Sequence, residues 1–306
     1  FISHPLSVAL ILADMRLDCP SISAAILHDV IEDTPTLREQ LAESFGEDVA
    51  LLVDGVSKID QIEFESKEHA EAENFRKMLL AMAKDIRVIL IKLADRIHNM
   101  RTLDSLRSDK RKRIAQQTID IFAPIANRLG MYAWTQELED LSFQHLYPKR
   151  YSAIRKEISK RRGNRKQVVD RSRLKIIEEL EETGINATVV GREKNIYSVY
   201  RKMQDRRVPM AEMGDIFAIR IIVDTVDECY RVLGIIHNLY KPVPGKFKDY
   251  IAISKVNGYQ SLHTQLFGTF GQSIEVQIRT TDMHWVAESG VASHWRYKSH
   301  DGEAPP

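Results

Sequence analysis

AAILHDVIEDT, residues 24–34, sets an imidazole beside a carboxylate, His28 and Asp29, near the end of an apolar helical run. Working outward from it, His4 caps an earlier helix pattern with Pro5 in its first turn, where a missing N–H costs nothing. Val8, Ile11, Leu12 and Met15 then share one face of that helix. Downstream, residues 72–103 read as one or two strong helices with Ile86, Ile89, Leu90, Leu93, Ala94 and Ile97 as the buried stripe. Asp95 lies at the edge of that stripe, and Asn99 and Thr102 follow it at helical spacing on the same face. Taken singly, each residue has an ordinary explanation: a helix-end salt bridge, an N-cap, a solvated Asp95-Arg96 pair. Together they form H…HD…D across consecutive apolar helices. Two histidines and two aspartates suit one divalent ion such as Mn²⁺, Fe²⁺ or Zn²⁺. They leave the site near neutral once the ion binds, with positions open for water and a phosphate oxygen. An ion there would lower the pKa of that water and neutralise phosphoryl charge. Glu32 and Asp33 stand one turn further on, where a carboxylate orients water or passes a proton.

The 306 residues favour two domains, and a 43% hydrophobic fraction supplies a core for each. The net charge of +1 argues against a protein devoted to nucleic acid, although local basic patches remain. Cys19 and Cys229 are far apart and read as reduced thiols, which fits a cytoplasmic protein and excludes a cysteine zinc site. No apolar run reaches membrane-spanning length and no signal peptide is seen, so neither membrane nor DNA is expected as a partner. The chain starts at Phe1, directly in patterned sequence, and reads as a piece of a longer protein.

Helical periodicity runs to about Glu182, with Pro124 expected to kink or break the helix that begins near Asp109. From Pro148 the sequence turns basic, and residues 148–184 read as an exposed helical connector. After Gly184 the period changes. INATVVG, DIFAIRIIVD, YQSLHTQLFG and SIEVQIRT read as strands. Residues 196–203, 226–239 and 283–295 read as helices, giving a mixed α/β domain of four or five strands. Its loops and strand ends collect Arg192, Lys194, Lys246, Lys248, Lys255, Asn257, Tyr259 and His263, and its strands supply Asp215 and Glu275. Cations in loops suit polyphosphate, and a loop tyrosine suits stacking on a base. Two carboxylates on adjacent strands suit Mg²⁺ and the deprotonation of a hydroxyl. Neither GxxxxGK[ST] nor GxGxxG occurs. By residue type alone, a nucleotide site and a basic RNA-binding sheet both stay open.

ISHPLSVA, AAILHDVIEDT, AENFRKM and IKLADRIHNMRTL resemble the HD-type metal phosphohydrolase domain of the RelA/SpoT homologues, the enzymes that make and destroy the alarmones ppGpp and pppGpp; the resemblance is nearest to the SpoT type. The α/β segments, in order, resemble the same family's synthetase domain. The resemblance implies an all-helical HD-type domain over 1–147, a connector over 148–184, and a mixed-sheet, nucleotidyltransferase-like synthetase domain over 185–306. It implies that His4, His28, Asp29 and Asp95 bind Mn²⁺, that Glu32 and Asp33 activate water, and that Asn99 and Thr102 contact the nucleotide. The implied reaction removes the 3′-pyrophosphate, giving GDP or GTP.

For the second domain the resemblance implies pyrophosphate transfer from ATP to the 3′-hydroxyl of GDP or GTP. Asp215 and Glu275 would be its Mg²⁺ and base carboxylates. Tyr259 would stack on guanine with Asn257 and His263 nearby, and Arg192, Lys194, Lys246, Lys248 and Lys255 would hold phosphates. Two departures stand out. Lys246-Phe247-Lys248-Asp249 replaces RFKD, keeping charge but losing the planar guanidinium fork, and Ser254 replaces a proline. The basic loop argues against a synthetase-only enzyme, and the departures leave the synthetase activity open, whether full, weak or lost. The contrasting reading is a metal-dependent nucleotide hydrolase whose α/β domain only binds nucleotide or RNA. Contacts with a regulatory protein or the ribosome are expected through regions outside this chain.

Overall fold

The computed structural model describes residues 2–60, 84–207, 217–268 and 273–293. The chain divides into two compact units, Phe1–Ala126 with Val291–Pro306, and Asn127–Gly290.

The first unit is helical. Its helices α1 (Ser3–Asp14), α2 (Cys19–Leu27) and α5 (Glu47–Asp60) pack with α6 (Ile86–Arg101), between which come the short α3 (Val30–Asp33) and α4 (Arg38–Phe45). Helix α6 is apolar on nearly every side along Val88, Ile89, Leu90, Ile91 and Leu93, all buried, so it occupies the centre. Gly55 lets α5 close on it: a Cβ there would stand 2.8 Å from Val88 Cγ2. Asp18 caps α2 by accepting from Ser21 N at 3.1 Å, and Asp85 caps α6 by accepting from Arg87 N at 2.8 Å. The Arg87 guanidinium then joins both caps to α5, donating to Asp18 at 2.9 Å, to Asp85 at 2.7 Å and to both oxygens of Asp48. The apolar helical run that carries His28 and Asp29 does not continue unbroken to Glu32 and Asp33. The helix stops at Leu27, His28 and Asp29 form the turn, and α3 restarts at Val30. The His28 ring explains the stop, because Nδ1 donates to the Ala25 carbonyl that a continuing helix would offer to Asp29. The expected disturbance at Pro124 is a π turn, Thr118–Phe122, between α7 (Ser108–Gln117) and α8 (Ala123–Arg128).

The second unit is a mixed sheet with helices. Helices α9 (Tyr132–Leu146) and α10 (Pro148–Glu182) precede β1 (Thr188–Glu193), α11 (Ile196–Arg206), β2 (Phe217–Val223), α12 (Val226–Leu239), β3 (Lys248–Asp249), β4 (Leu262–Phe267), β5 (Ser273–Thr280) and α13 (Thr281–Ser289). Among the described residues the sheet order is β1-β2-β5-β4-β3, with β2 and β5 parallel and the other pairs antiparallel. The period of two sorts its faces. Ile219, Ile221 and Val223 with Ile274, Val276 and Ile278 lie in the apolar core, together with Val232 and Ile236 of α12. Arg220, Glu275, Gln277 and Arg279 alternate with them on the other face.

This division differs from the boundaries read at 147 and 184. Ile154, Ile158, Ile176 and Leu180 of α10 are members of the sheet's core, so residues 148–182 belong to the α/β unit. Their dense basic neighbours hide a sparse apolar stripe. Helix α9 belongs there too, because Asp140 caps α11 by accepting from Tyr197 N at 2.7 Å and Ile196 N at 3.2 Å.

Candidate metal centre and nucleotide cavity

In the helical unit the fold brings the four sequence-read ligands together. One ligand atom each from His4, His28 and Asp29 lies within 4.8 Å of the others. His28 Nε2 is 3.1 Å from Asp29 Oδ1, and Asp95 Oδ1 is 3.2 Å from His4 Nε2 and 3.9 Å from His28 Nε2. His28 shows whether these residues fit an ion. Its ring is buried, and Nδ1 donates to the Ala25 carbonyl at 2.7 Å, which leaves the lone pair on Nε2. That Nε2 is itself buried and makes no hydrogen bond. A buried nitrogen without a partner, oriented by a backbone carbonyl and facing two carboxylates, is what a metal-binding imidazole requires.

Three further residues, which the sequence reading missed or under-read, support this centre. Lys92 Nζ donates to Asp95 Oδ2 at 3.0 Å, with both side chains almost wholly buried. Asn99 Nδ2 donates to Asp95 Oδ1 at 2.6 Å, so its amide is already engaged within the cluster. His98 and His4 share a hydrogen bond between their Nδ1 atoms, 2.7 Å apart. Lys92, Asp95, His98 and Asn99 have the i, i+3, i+4 spacing that would have revealed them. Thr102 donates to the His98 carbonyl at 3.1 Å at the end of α6. Glu32 and Asp33 are exposed on α3, just beyond the centre.

The electrostatics follow from these contacts. Burial opposes ionisation of Asp95, but Lys92, His4 and His28 outweigh it and hold the carboxyl below its usual range. The hydrogen bond to Asp95 raises His4. Burial, more than the nearby Asp95 and Asp33 charges, raises Asp29.

In the α/β unit the polar face of the sheet floors a cavity of about 480 Å³. Arg192, Lys255, Tyr259 and His263 line it, as the sequence reading grouped them. Arg220, Arg279, Gln277, Tyr132 and Glu288 line it too and were missed. Their signal was the period of two in DIFAIRIIVD and SIEVQIRT, which puts Arg220, Gln277 and Arg279 beside Glu275. Glu288 accepts from Arg220 at 3.2 Å and from Arg279 at 3.1 Å. Burial lowers both guanidinium pKa values, Arg220 to about 10; the Arg279 and Arg192 charges lower Arg220 further, and Arg192 also lowers Arg279, against the pull of Glu288. Lys255 Nζ lies over the rings of Tyr250, Tyr259 and Tyr132 at 4.8, 4.9 and 5.8 Å. Lys194 donates to Glu275 at 2.5 Å; burial opposes ionisation, yet Lys194 brings the Glu275 carboxyl down to about 2. Tyr259 Oη and His263 Nε2 are 2.7 Å apart, and burial takes His263 down to about 4, so the ring is neutral. Asn257 donates to Tyr132 Oη and to the Asn127 carbonyl, outside the cavity lining. Lys246 and Lys248 are exposed and also lie outside it. Asp215 falls outside the described residues.

Residues 1–132 match the family model described as HD domain, and residues 191–302 match the one described as region found in RelA / SpoT proteins. The chain belongs to the RelA/SpoT family. It is 55% identical over 98% of its length to the guanosine-3′,5′-bis(diphosphate) 3′-pyrophosphohydrolase of Vibrio cholerae, of which it covers 42%. Over 98% of its length it is also 55% identical to the bifunctional (p)ppGpp synthase/hydrolase SpoT of Escherichia coli K12, covering 43% of that protein. Identity to the GTP pyrophosphokinase of Myxococcus xanthus is 49%, over 97% of this chain and 40% of that one. The chain thus spans about two fifths of the length of these relatives. An HD domain implies a divalent metal. Among the described residues no helix is long and apolar enough to cross a membrane.

Proposed function

We propose that the helical unit hydrolyses the 3′-pyrophosphate ester of ppGpp or pppGpp, giving GDP or GTP and pyrophosphate, as a cytoplasmic enzyme of alarmone turnover. The observation that carries this is the buried, partnerless Nε2 of His28 among His4, Asp29 and Asp95. These four residues would hold Mn²⁺, which when bound activates water and neutralises phosphoryl charge. Glu32 and Asp33, exposed beside the ligands, orient the attacking water and take its proton. Thr102 and Asn99, exposed at the end of α6, face the nucleotide. The chain is assayed with Mn²⁺ and ppGpp for pyrophosphate release. His28→Ala and Asp95→Ala should lose it; turnover retained in either variant refutes the ligand set.

For the α/β unit we propose pyrophosphate transfer from ATP to GDP or GTP. The supporting observation is a cavity that gathers Arg192, Arg220, Arg279 and Lys255 with the stacking surface of Tyr259. Glu275 and Asp215 would hold Mg²⁺ and serve as base. ATP and GDP with Mg²⁺ should give ppGpp in an Asp29→Ala background. No product there, with nucleotide still bound, makes the unit a regulatory binding module instead.

A further inference from the structure

Lys92 changes the charge arithmetic of the metal centre. Two aspartates would neutralise a divalent ion, and this ammonium is buried against one of them, so it draws on the same carboxylate. Its placement on Asp95 is asymmetric. Oδ1, the oxygen nearest His4 and His28, receives the exposed neutral amide of Asn99, whereas Oδ2 receives the buried cation of Lys92 at 3.0 Å. Lysine and aspartate are three residues apart on one helix, so a single rigid element sets their contact.

We infer that Lys92 is a built-in counter-cation of the metal centre: it occupies Oδ2, so that Asp95 meets the ion through Oδ1 alone, and it compensates the buried carboxylate when no ion is bound. This rests on the metal reading above. Two effects follow. Without an ion, Asp95 is not left as an uncompensated buried charge, which would cost heavily. With an ion, Lys92 competes with it for the same carboxylate and limits its affinity. Lys92 is therefore a positioning residue that sets the metal affinity.

The full chain is tested with Mn²⁺ alone, by electron paramagnetic resonance titration and by melting with Mn²⁺ or with chelator. In Lys92→Met the Mn²⁺ dissociation constant should fall at least tenfold. The chelator-treated variant should melt well below wild type, and Mn²⁺ should restore most of the difference. Lys92→Arg should stay within about threefold of wild type in Mn²⁺ affinity. A residue that merely fills the core would lower both melting points equally and leave affinity unchanged; that result, or weaker Mn²⁺ binding, overturns the inference. Should Lys92→Met not fold in either state, Lys92→Gln, which keeps a donor toward Oδ2 without charge, must show the same tightening or the inference fails. If wild type itself leaves the free Mn²⁺ signal unchanged, the metal reading falls, and this inference with it.

Discussion

Arg87→Met is the sharpest test of how the helical unit holds its ligand-bearing elements. The substitution keeps the apolar stem and removes the guanidinium that joins Asp18, Asp48 and Asp85. Bonds to charged partners contribute about 1.5–3 kcal/mol each when buried. Arg87 is 11% exposed, but Asp18 and Asp85 are 26% and 28% exposed and Asp48 is 51% exposed, so solvent screens each pair. About 1 kcal/mol per carboxylate is a reasonable discount, which gives about 3 kcal/mol in all. For a unit of this size that lowers its melting temperature by roughly 10 °C. Differential scanning calorimetry of the full chain reads it, with the α/β transition as an internal reference expected to stay put. Because the guanidinium itself is buried, most of the loss should persist in 0.5 M salt. A loss below about 1 kcal/mol, or one abolished by salt, would show that the caps of α2 and α6 do not depend on this residue. The metal-site helices would then owe their placement to apolar packing alone.

Burial pushes the Glu139 carboxyl, 15% exposed beside Arg201, up to about 7, so its ionised form is disfavoured by the fold. The cost sets in as pH rises above the ordinary carboxylate range and is complete above 7. Glu139→Gln should therefore stabilise the α/β unit by about 1–3 kcal/mol at pH 8 and not at pH 4 in urea denaturation, and equal effects at both pH values would refute this. Glu275 has the opposite sign: its depressed pKa means that stability is present above the ordinary range and is lost as pH falls toward 2. Lys194→Met should cost about 2–3 kcal/mol at pH 7, less at pH 4, and raise the Glu275 titration seen by NMR; an unmoved titration would dismiss the pair. Gly290 has φ +57°, and a Cβ there would stand 2.3 Å from the Leu129 carbonyl oxygen. Gly290→Ala should cost more than about 3 kcal/mol in the α/β transition, and a neutral result would mean that this loop yields readily.

The helical core and the clustering of His4, His28, Asp29 and Asp95 were legible because both depend on one-dimensional spacing. Apolar residues at helical period place α6 at the centre, and H…HD…D marks what its neighbours present. The strands were legible for the same reason, by alternation. What escaped depends on three-dimensional pairing. Spacing alone does not single out Lys92 from the other lysines, and only its burial against Asp95 gives it a role. Arg220 and Arg279 are strand residues whose partner Glu288 comes from a later helix. The break at His28 was hidden because a side chain, not a glycine or proline, ends the helix. The basic run after Pro148 misled by composition: charge density suggested a solvated spacer, while every buried isoleucine lay a turn or more from the next.

The long helix α10 decides where the protein can be taken apart. A fragment beginning at residue 185 would strip Ile154, Ile158, Ile176 and Leu180 from the core that β2 and β5 share, exposing a broad apolar surface to water. Such a fragment would report on aggregation, not on catalysis. Chimeras between relatives face the same constraint: joined near residue 127 they keep the sheet with its own helices α9 and α10, whereas joined near 184 they pair one protein's helix with another's sheet.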